Sequence, residues 1–171
     1  MSKKILCVMA GYDETTEKIL STMQQRLYDY GFVGNQTKHL LQHITLGTFE
    51  TSEEQTLKTK VEKAALESCQ FDITFNHIGI FGGSSVLFVA PDPNPMLLKL
   101  KGYFGDTFHW TPHTTMLIDK PEVIYKALPL VADNFKAFQG QVQSVHLYEF
   151  WPARHICSYP LAAYDSPETH T

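Results

Sequence analysis

The chain has 171 residues, of which 43% are hydrophobic and 19% charged, and this is the size and composition of one ordinary globular domain. Its net charge is −4 with histidine taken as neutral, and its only arginines are Arg26 and Arg154. A protein that grips long nucleic acid by its phosphates is usually basic, so we expect any phosphate ligand to be small or to be the end of a longer chain.

The cysteines and the first apolar run indicate where the protein works. Cys7, Cys69 and Cys157 are far apart and odd in number, and no C-x-x-C pair occurs. This pattern argues against a disulfide framework or a zinc knuckle and favours a reducing compartment. The apolar run at residues 5–10 is too short for a signal peptide or a membrane span, so we predict a buried first strand in a cytoplasmic protein that avoids membranes.

The first half of the chain alternates strands and helices. An amphipathic pattern after the first strand predicts a helix, with Asp13 as its N-cap and Gly31 just beyond its end. The stretch HITLGTF, starting at residue 43, is strand-like, and residues 52–68 predict a second helix. Two strand-like runs then flank a glycine-containing turn at residues 82–85 and indicate an antiparallel hairpin.

The second half repeats this order loosely. Asn94 and Pro95 begin a short helix, and HTTMLID at residues 113–119 is again strand-like. A helical pattern follows that contains Pro129, which we expect to kink or split it, and two strands end the repeat. We therefore predict an α+β fold in which residues 1–165 form a single domain of two intertwined lobes, followed by a frayed tail at 166–171.

Each lobe contains one His-x-Thr motif, HITL at residues 43–46 and HTTM at residues 113–116. Because side chains alternate along a strand, His43 and Thr45 share one face, and so do His113 and Thr115. A lone motif of this kind is ordinary, but two copies in matching places of a duplicated unit predict two imidazoles and two hydroxyls around a shared groove.

These residue types suit phosphodiester chemistry. Imidazole can act as acid or base near neutral pH, and a threonine hydroxyl can donate to a phosphate oxygen that gains charge in the transition state. No carboxylate cluster accompanies the histidines at metal-ligand spacing, so we predict neither a metal nor another cofactor.

The paired motifs resemble the signature of the two-histidine (2H) phosphoesterase superfamily. Over roughly residues 4–160, the chain resembles the bacterial 2′-5′ RNA ligase-like, or RNA 2′,3′-cyclic phosphodiesterase, branch. The resemblance implies a bilobal, pseudo-symmetric fold, with two antiparallel sheets around a central cleft and helices on the outside. It also implies that His43 and His113 are the catalytic pair and that Thr45 and Thr115 bind substrate.

The family further implies that the first histidine protonates the leaving oxygen and that the second activates water, although the residues themselves leave this direction open. The expected activity is metal-independent hydrolysis of a 2′,3′-cyclic phosphate on RNA ends or small nucleotides. Alternatives with the same chemistry are 2′-5′ oligonucleotides, cyclic dinucleotides, ADP-ribose cyclic phosphate and the reverse ligation. An alternative of another class is a nucleotide-binding module without turnover. We expect a monomer that binds a nucleotide or RNA end and no long nucleic-acid tract.

Other side chains are secondary candidates. Arg154, Trp110, Trp151 and Tyr12 are candidates for phosphate or base contacts, although each also has an ordinary structural explanation. The remaining histidines are interpreted as non-catalytic, and only one of them, four residues before His43, is placed to tune or shield the motif. They are His39, His77, His109, His146, His155 and His170.

Overall fold

A computed structural model describes residues 3–163, so the end of the predicted domain and the tail predicted at 166–171 lie outside the described residues. The order of strands and helices predicted from the sequence is confirmed. The elements are β1 (Ile5–Tyr12), α1 (Glu14–Asp29), β2 (His43–Glu50), a 3-10 turn (Thr51–Glu53), α2 (Glu54–Leu66), β3 (Phe71–Ile80), β4 (Val86–Pro91), α3 (Pro95–Gly102), β5 (Thr114–Ile118), α4 (Pro121–Ala132), β6 (Phe138–Phe150) and β7 (Arg154–Pro160).

Helix starts follow the local sequence. The Asp13 carboxylate accepts a hydrogen bond from the backbone N–H of Thr16 at 3.1 Å, so the predicted N-cap of α1 is confirmed. The Asn94 side chain caps α3 in the same way.

The split expected at Pro129 is not found, because this proline lies in the last turn of α4. Its missing N–H leaves only the carbonyl of Tyr125 without an intrahelical partner, and Tyr125 is exposed to solvent.

The strands form one antiparallel sheet in the order β2-β1-β6-β3-β4-β5, and β7 also pairs with β6. The long strand β6 pairs with β3 along its first residues and with β7 along its later ones, so both halves of the bilobal fold share it. The two sheets implied by the family resemblance are therefore continuous through β6. The motif strands β2 and β5 are the two ends of the main strand order, and they approach each other across the cleft.

The two faces of the sheet have different roles. One face packs against the helices, and Ile44, Leu46 and Met116 of the motif strands are fully buried there. Burial of each such side chain is worth about 1.5–3 kcal/mol, which fixes the register of both motif strands. The opposite face carries the motif histidines and threonines, and we call it the cleft face.

A bulge adjusts the cleft face on β2. The pairing of β1 with β2 shifts between Val8 and Met9, so Met9 lies opposite Thr45 and Cys7 lies opposite Thr48. Both threonines therefore face the cleft although they are three residues apart.

Within residues 3–163, no helix has both the length and the apolar character needed to cross a membrane.

Candidate active site

The two motif histidines are held in the same way at the start of their strands. His43 is the first residue of β2, and His113 immediately precedes β5. The Nδ1 atom of His43 lies 2.8 Å from the carbonyl oxygen of Leu41, and that of His113 lies 2.8 Å from the carbonyl oxygen of Thr111. Because a carbonyl oxygen can only accept, each Nδ1 carries a proton and donates it. In both histidines Nε2 is therefore the nitrogen that gains or loses a proton.

Residues from both motifs line one cavity of about 250 Å³. His43 and Thr45 reach it from β2, and Thr114 and Thr115 reach it from β5. The other lining residues come from β1, α1, the loop before β2, the ends of β2, β5 and β6, and the residue that follows β6. They are Ile5, Cys7, Met9, Gln24, Asn35, Gln36, Thr37, Leu40, Leu41, Gln42, Thr48, Ile118, Phe150 and Trp151.

His113 is the one predicted site residue outside this lining. Its ring packs against Phe81 and Phe88, with centroid distances of 4.7 and 5.2 Å. Phe88 also borders a second, mostly apolar cavity of about 480 Å³, together with Thr111, Pro112 and Trp110. The imidazole of His113 thus packs on a side chain of this second cavity, and the other three predicted residues line the first.

Both imidazoles have lowered pKa values. Burial lowers the pKa of His43, and the nearby positive charge of His113 lowers it further, while the Leu41 carbonyl opposes these effects. Burial also lowers the pKa of His113 against the opposing effect of the Thr111 carbonyl. Both side chains are therefore mainly neutral at pH 7. A bound anion favours the protonated form and reverses part of this shift.

The Thr45 hydroxyl is prepared to donate into the cavity. Its oxygen accepts a hydrogen bond from the thiol of Cys7, with a sulfur–oxygen distance of 3.8 Å. Burial raises the pKa of Cys7 to about 11, so the thiol stays protonated and remains a donor. Because Cys7 satisfies one lone pair of the Thr45 oxygen, the hydroxyl proton of Thr45 is left for a ligand.

A pair of amides in the wall of the first cavity links the two motifs. The Gln42 side chain, next to His43, donates to the side-chain oxygen of Gln24 at 2.8 Å. Gln24 in turn donates to the backbone carbonyl of Met116 in the second motif at 3.1 Å. Sequence reasoning missed both glutamines, since a polar residue on an amphipathic helix, such as Gln24, or in a loop, such as Gln42, usually faces solvent.

The aromatic secondary candidates, Trp151, Tyr12 and Trp110, each have a different hydrogen-bond partner. Trp151 lines the first cavity and donates its indole N–H to the hydroxyl of Thr37 at 3.1 Å. Tyr12 is hydrogen-bonded to Thr114 through their hydroxyls. Trp110 donates its N–H to the backbone carbonyl of Thr45 at 3.0 Å.

Arg154 is paired with carboxylates and does not line either cavity. Its guanidinium lies 2.7 Å from Glu54 and 3.2 Å from Glu149. The described residues that line the first cavity include no lysine, arginine, aspartate or glutamate, so hydroxyls, amides and imidazole provide its polar contacts. Residues 3–163 contain no group of three or more histidine, cysteine or acidic side chains arranged to hold a metal ion.

The two motif strands are the ends of the main strand order, and each presents an imidazole followed by a hydroxyl two residues later. The family model of the 2′-5′ RNA ligase superfamily matches residues 38–150, which is more than half of the chain. The chain belongs to this superfamily, whose activities are of the phosphoesterase and RNA ligase type. A search of curated proteins found no match to the sequence.

Solved structures share the fold at low sequence identity. Apo LigT of E. coli is 15% identical, with a TM-score of 0.64 over 94% of this chain and 99% of that chain. TT0787 of Thermus thermophilus is also 15% identical, with a TM-score of 0.64 over 94% of this chain and 100% of that chain. The complex of E. coli LigT with 3′-AMP is 14% identical, with a TM-score of 0.60 and coverages of 94% and 99%.

Proposed function

We propose that this protein is a metal-independent phosphodiesterase that hydrolyses 2′,3′-cyclic phosphates on RNA ends or small nucleotides. The main support is the matched pair of histidines, each with Nδ1 bound to a backbone carbonyl two residues earlier and Nε2 left to exchange a proton. A pure binding site has no need of a matched acid and base. The binding of 3′-AMP by LigT, a protein of the same fold, is consistent with a nucleotide ligand.

In the proposed reaction, the neutral Nε2 of one histidine takes a proton from water while the water oxygen attacks phosphorus. The protonated Nε2 of the other histidine donates its proton to the departing ester oxygen, which becomes a ribose hydroxyl as its bond to phosphorus breaks. The hydroxyls of Thr45 and Thr115 donate to the non-bridging oxygens as charge builds there. Following the family resemblance, we assign the acid to His43 and the base to His113. Solvent then exchanges protons with both imidazoles and resets the pair.

The charge of the cavity supports a diester substrate. A phosphodiester carries one negative charge, whereas the monoester product carries up to two near neutral pH. Because the described lining residues include no fixed cation, the singly charged diester is the better match and the product is released easily. The free cysteines Cys7, Cys69 and Cys157 are consistent with action in the cytoplasm, and we propose a monomer.

The experiment is a substrate panel on the purified protein, with and without excess chelator. It compares a nucleoside 2′,3′-cyclic phosphate, a 2′-5′-linked dinucleotide, a cyclic dinucleotide and ADP-ribose cyclic phosphate. We expect fastest opening of the nucleoside 2′,3′-cyclic phosphate, with no effect of the chelator. The double variant His43→Ala/His113→Ala should be inactive, and the control His77→Ala should retain activity.

Two outcomes contradict the proposal. Activity that the chelator removes and a divalent ion restores indicates a metal-dependent mechanism. Nucleotide binding without turnover of any member of the panel indicates a binding module instead.

A further inference from the structure

A second group of polar side chains lies beside His43 on the cleft face. Gly11 of β1 lies opposite His43 on one side and opposite Ser144 of β6 on the other. In the next row, Met9 lies opposite Thr45 and His146. Because directly opposed residues of antiparallel strands point to the same face, Ser144 and His146 share the face of the motif residues.

Gly11 makes room for this group. A Cβ atom at residue 11 would overlap both the Nε2 atom of His146 and the hydroxyl oxygen of Ser144. The imidazole of His146 therefore lies over the backbone of Gly11. Gly11 in turn lies between His146 and His43. A side chain at residue 11 would force the His146 imidazole or the Ser144 hydroxyl to move from this position.

Hydrogen bonds join four side chains of β6 and β7 into one unit. Nε2 of His146 lies 2.7 Å from the Ser144 hydroxyl, and its Nδ1 is hydrogen-bonded to the hydroxyl of Ser158. Nε2 of His155 lies 2.6 Å from the same Ser158 hydroxyl. We call Ser144, His146, His155 and Ser158 the histidine–serine shelf. Since hydroxyls can donate or accept, His146 can gain a proton without moving.

The shelf carries no counter-charge of its own. The groups that face His146 are Ser144 and Tyr148 from β6, Ser158 and His155 from β7, and His43 from β2. None of these described groups is a carboxylate. Burial lowers the pKa of His146 to about 4, with the positive charges of His155 and His43 as further causes. A bound anion would favour the protonated imidazoles of this group, and protonated imidazoles and hydroxyls are donors to phosphate oxygens.

We propose that the histidine–serine shelf binds a second phosphate of the substrate, one nucleotide away from the phosphodiester held at His43 and His113. Strands lie about 4.8 Å apart, so Ser144, two strands from His43, is about 10 Å away across Gly11. Neighbouring phosphates of one nucleotide lie closer together than this, and the imidazole of His146 shortens the span because it lies over Gly11, only one strand from His43. The inference rests on the proposed function and narrows its substrates to those with a phosphate on both sides of one nucleoside.

The kinetic test compares adenosine 2′,3′-cyclic phosphate with and without a 5′-phosphate. The readout is the ratio of the two kcat/KM values within each variant, so any general effect of a substitution cancels. We expect the wild-type ratio to be roughly 10 or more, the usual effect of charge-assisted hydrogen bonds. His146→Gln and Gly11→Ala should lower the ratio to about 1, whereas the control His77→Gln should keep it. A wild-type ratio near 1, or a ratio unchanged in His146→Gln, overturns the proposal.

A binding test separates this proposal from the proposed function. The imidazole signals of the histidines are followed by NMR against pH, with 3′-AMP and with adenosine 3′,5′-bisphosphate, and His146 is assigned by its loss in His146→Gln. The bisphosphate should raise the pKa of His146, and 3′-AMP, which has a single phosphate, should not. Equal shifts with both ligands overturn the shelf assignment even if hydrolysis is observed. A selective shift supports the assignment even if no cyclic phosphate is hydrolysed.

Discussion

The indole N–H of Trp110 donates a hydrogen bond to the backbone carbonyl of Thr45, with a nitrogen–oxygen distance of 3.0 Å. Trp110 lies three residues before the second motif histidine, and Thr45 belongs to the first motif. Among the described strands, β2 pairs with β1 alone, so carbonyls on its other side need partners from elsewhere. A single indole thus joins the segment that leads into His113 to the strand that begins at His43.

We predict that Trp110→Phe loosens the two motifs relative to each other. The change keeps an aromatic ring but removes the donor, and a typical hydrogen bond contributes about 0.5–1.5 kcal/mol. We therefore expect kcat to fall by up to roughly 10-fold, measured on a nucleoside 2′,3′-cyclic phosphate. Tyr125→Phe is the matched control, because it also keeps an aromatic ring and removes a donor, in this case a hydroxyl that donates to Ser84 away from both cavities. Equal losses in both variants contradict a specific role for the Thr45 contact.

A second prediction concerns the amides of Gln24 and Gln42 in the wall of the first cavity. Gln24→Leu removes the link from Gln42 to the Met116 carbonyl and leaves buried polar groups unpaired, which costs about 1–3 kcal/mol each. We expect both a lower free energy of unfolding in urea and a lower kcat. Gln25→Leu is the control, since the Gln25 side chain donates to Asp29 on the exposed side of the same helix. If Gln25→Leu lowers stability and kcat as much as Gln24→Leu does, the Gln24 link has no specific role, because any polar-to-apolar change on helix α1 would then have the same effect.

The third prediction concerns the motif histidines one at a time. His43→Ala and His113→Ala should each lower turnover by about 10²–10⁴, the usual worth of a positioned acid or base. The double variant should be little slower than the slower single one, because the two residues act as a unit. Rates are compared on the best substrate of the panel. Near-normal turnover in either single variant removes that histidine from the mechanism.

The fourth prediction is the dependence of activity on pH. The active form needs one neutral and one protonated imidazole, so the rate is bell-shaped and its apparent pKa values belong to the pair. Burial lowers the pKa values of both His43 and His113, so kcat/KM should peak below the ordinary imidazole value of about 6.5. A bound anionic phosphate raises these pKa values, and the optimum for kcat should lie at higher pH.

The single-histidine variants show which residue causes each limb of the bell-shaped pH profile. Any activity left in His113→Ala should lack the acidic limb, since the base is gone, and that in His43→Ala should lack the basic limb. A profile that stays flat from about pH 5 to 9, with chemistry shown to be rate-limiting, excludes the two-histidine mechanism.

The fifth prediction concerns stability in acid. The pKa of His146 is about 4 in the folded protein and about 6.5 in an unfolded chain, so unfolding takes up a proton between these values. The free energy of unfolding should therefore fall as the pH drops from about 6.5 towards 4. His146→Gln should reduce this loss, as measured by urea unfolding at about pH 7 and about pH 4.5. A pH dependence equal to that of the wild type would show that His146 is not held neutral by the fold.

The sequence predicted the parts of this site that depend on local periodicity. The two His-x-Thr motifs predicted a shared groove, and His43, Thr45 and Thr115 line one cavity, whereas His113 packs against Phe81 and Phe88 outside it. The caps of α1 and α3 follow from single residues. The position of His146 could not be predicted, because it depends on Gly11, a residue of a neighbouring strand more than 130 positions away in the chain. Thr48 reaches the cavity only through a bulge, which has no clear signal in the sequence.

The sharing of β6 by both halves limits how this protein can change in evolution. Residues 138–142 of β6 pair with β3, and residues 142–150 pair with β1. Side chains alternate along a strand, so a one-residue deletion near Val142 would invert the facing of one half relative to the other. The face that presents His43 and the face that presents His113 would then point to opposite sides of the sheet. Changes in chain length should therefore be tolerated in the loops and rejected within β6.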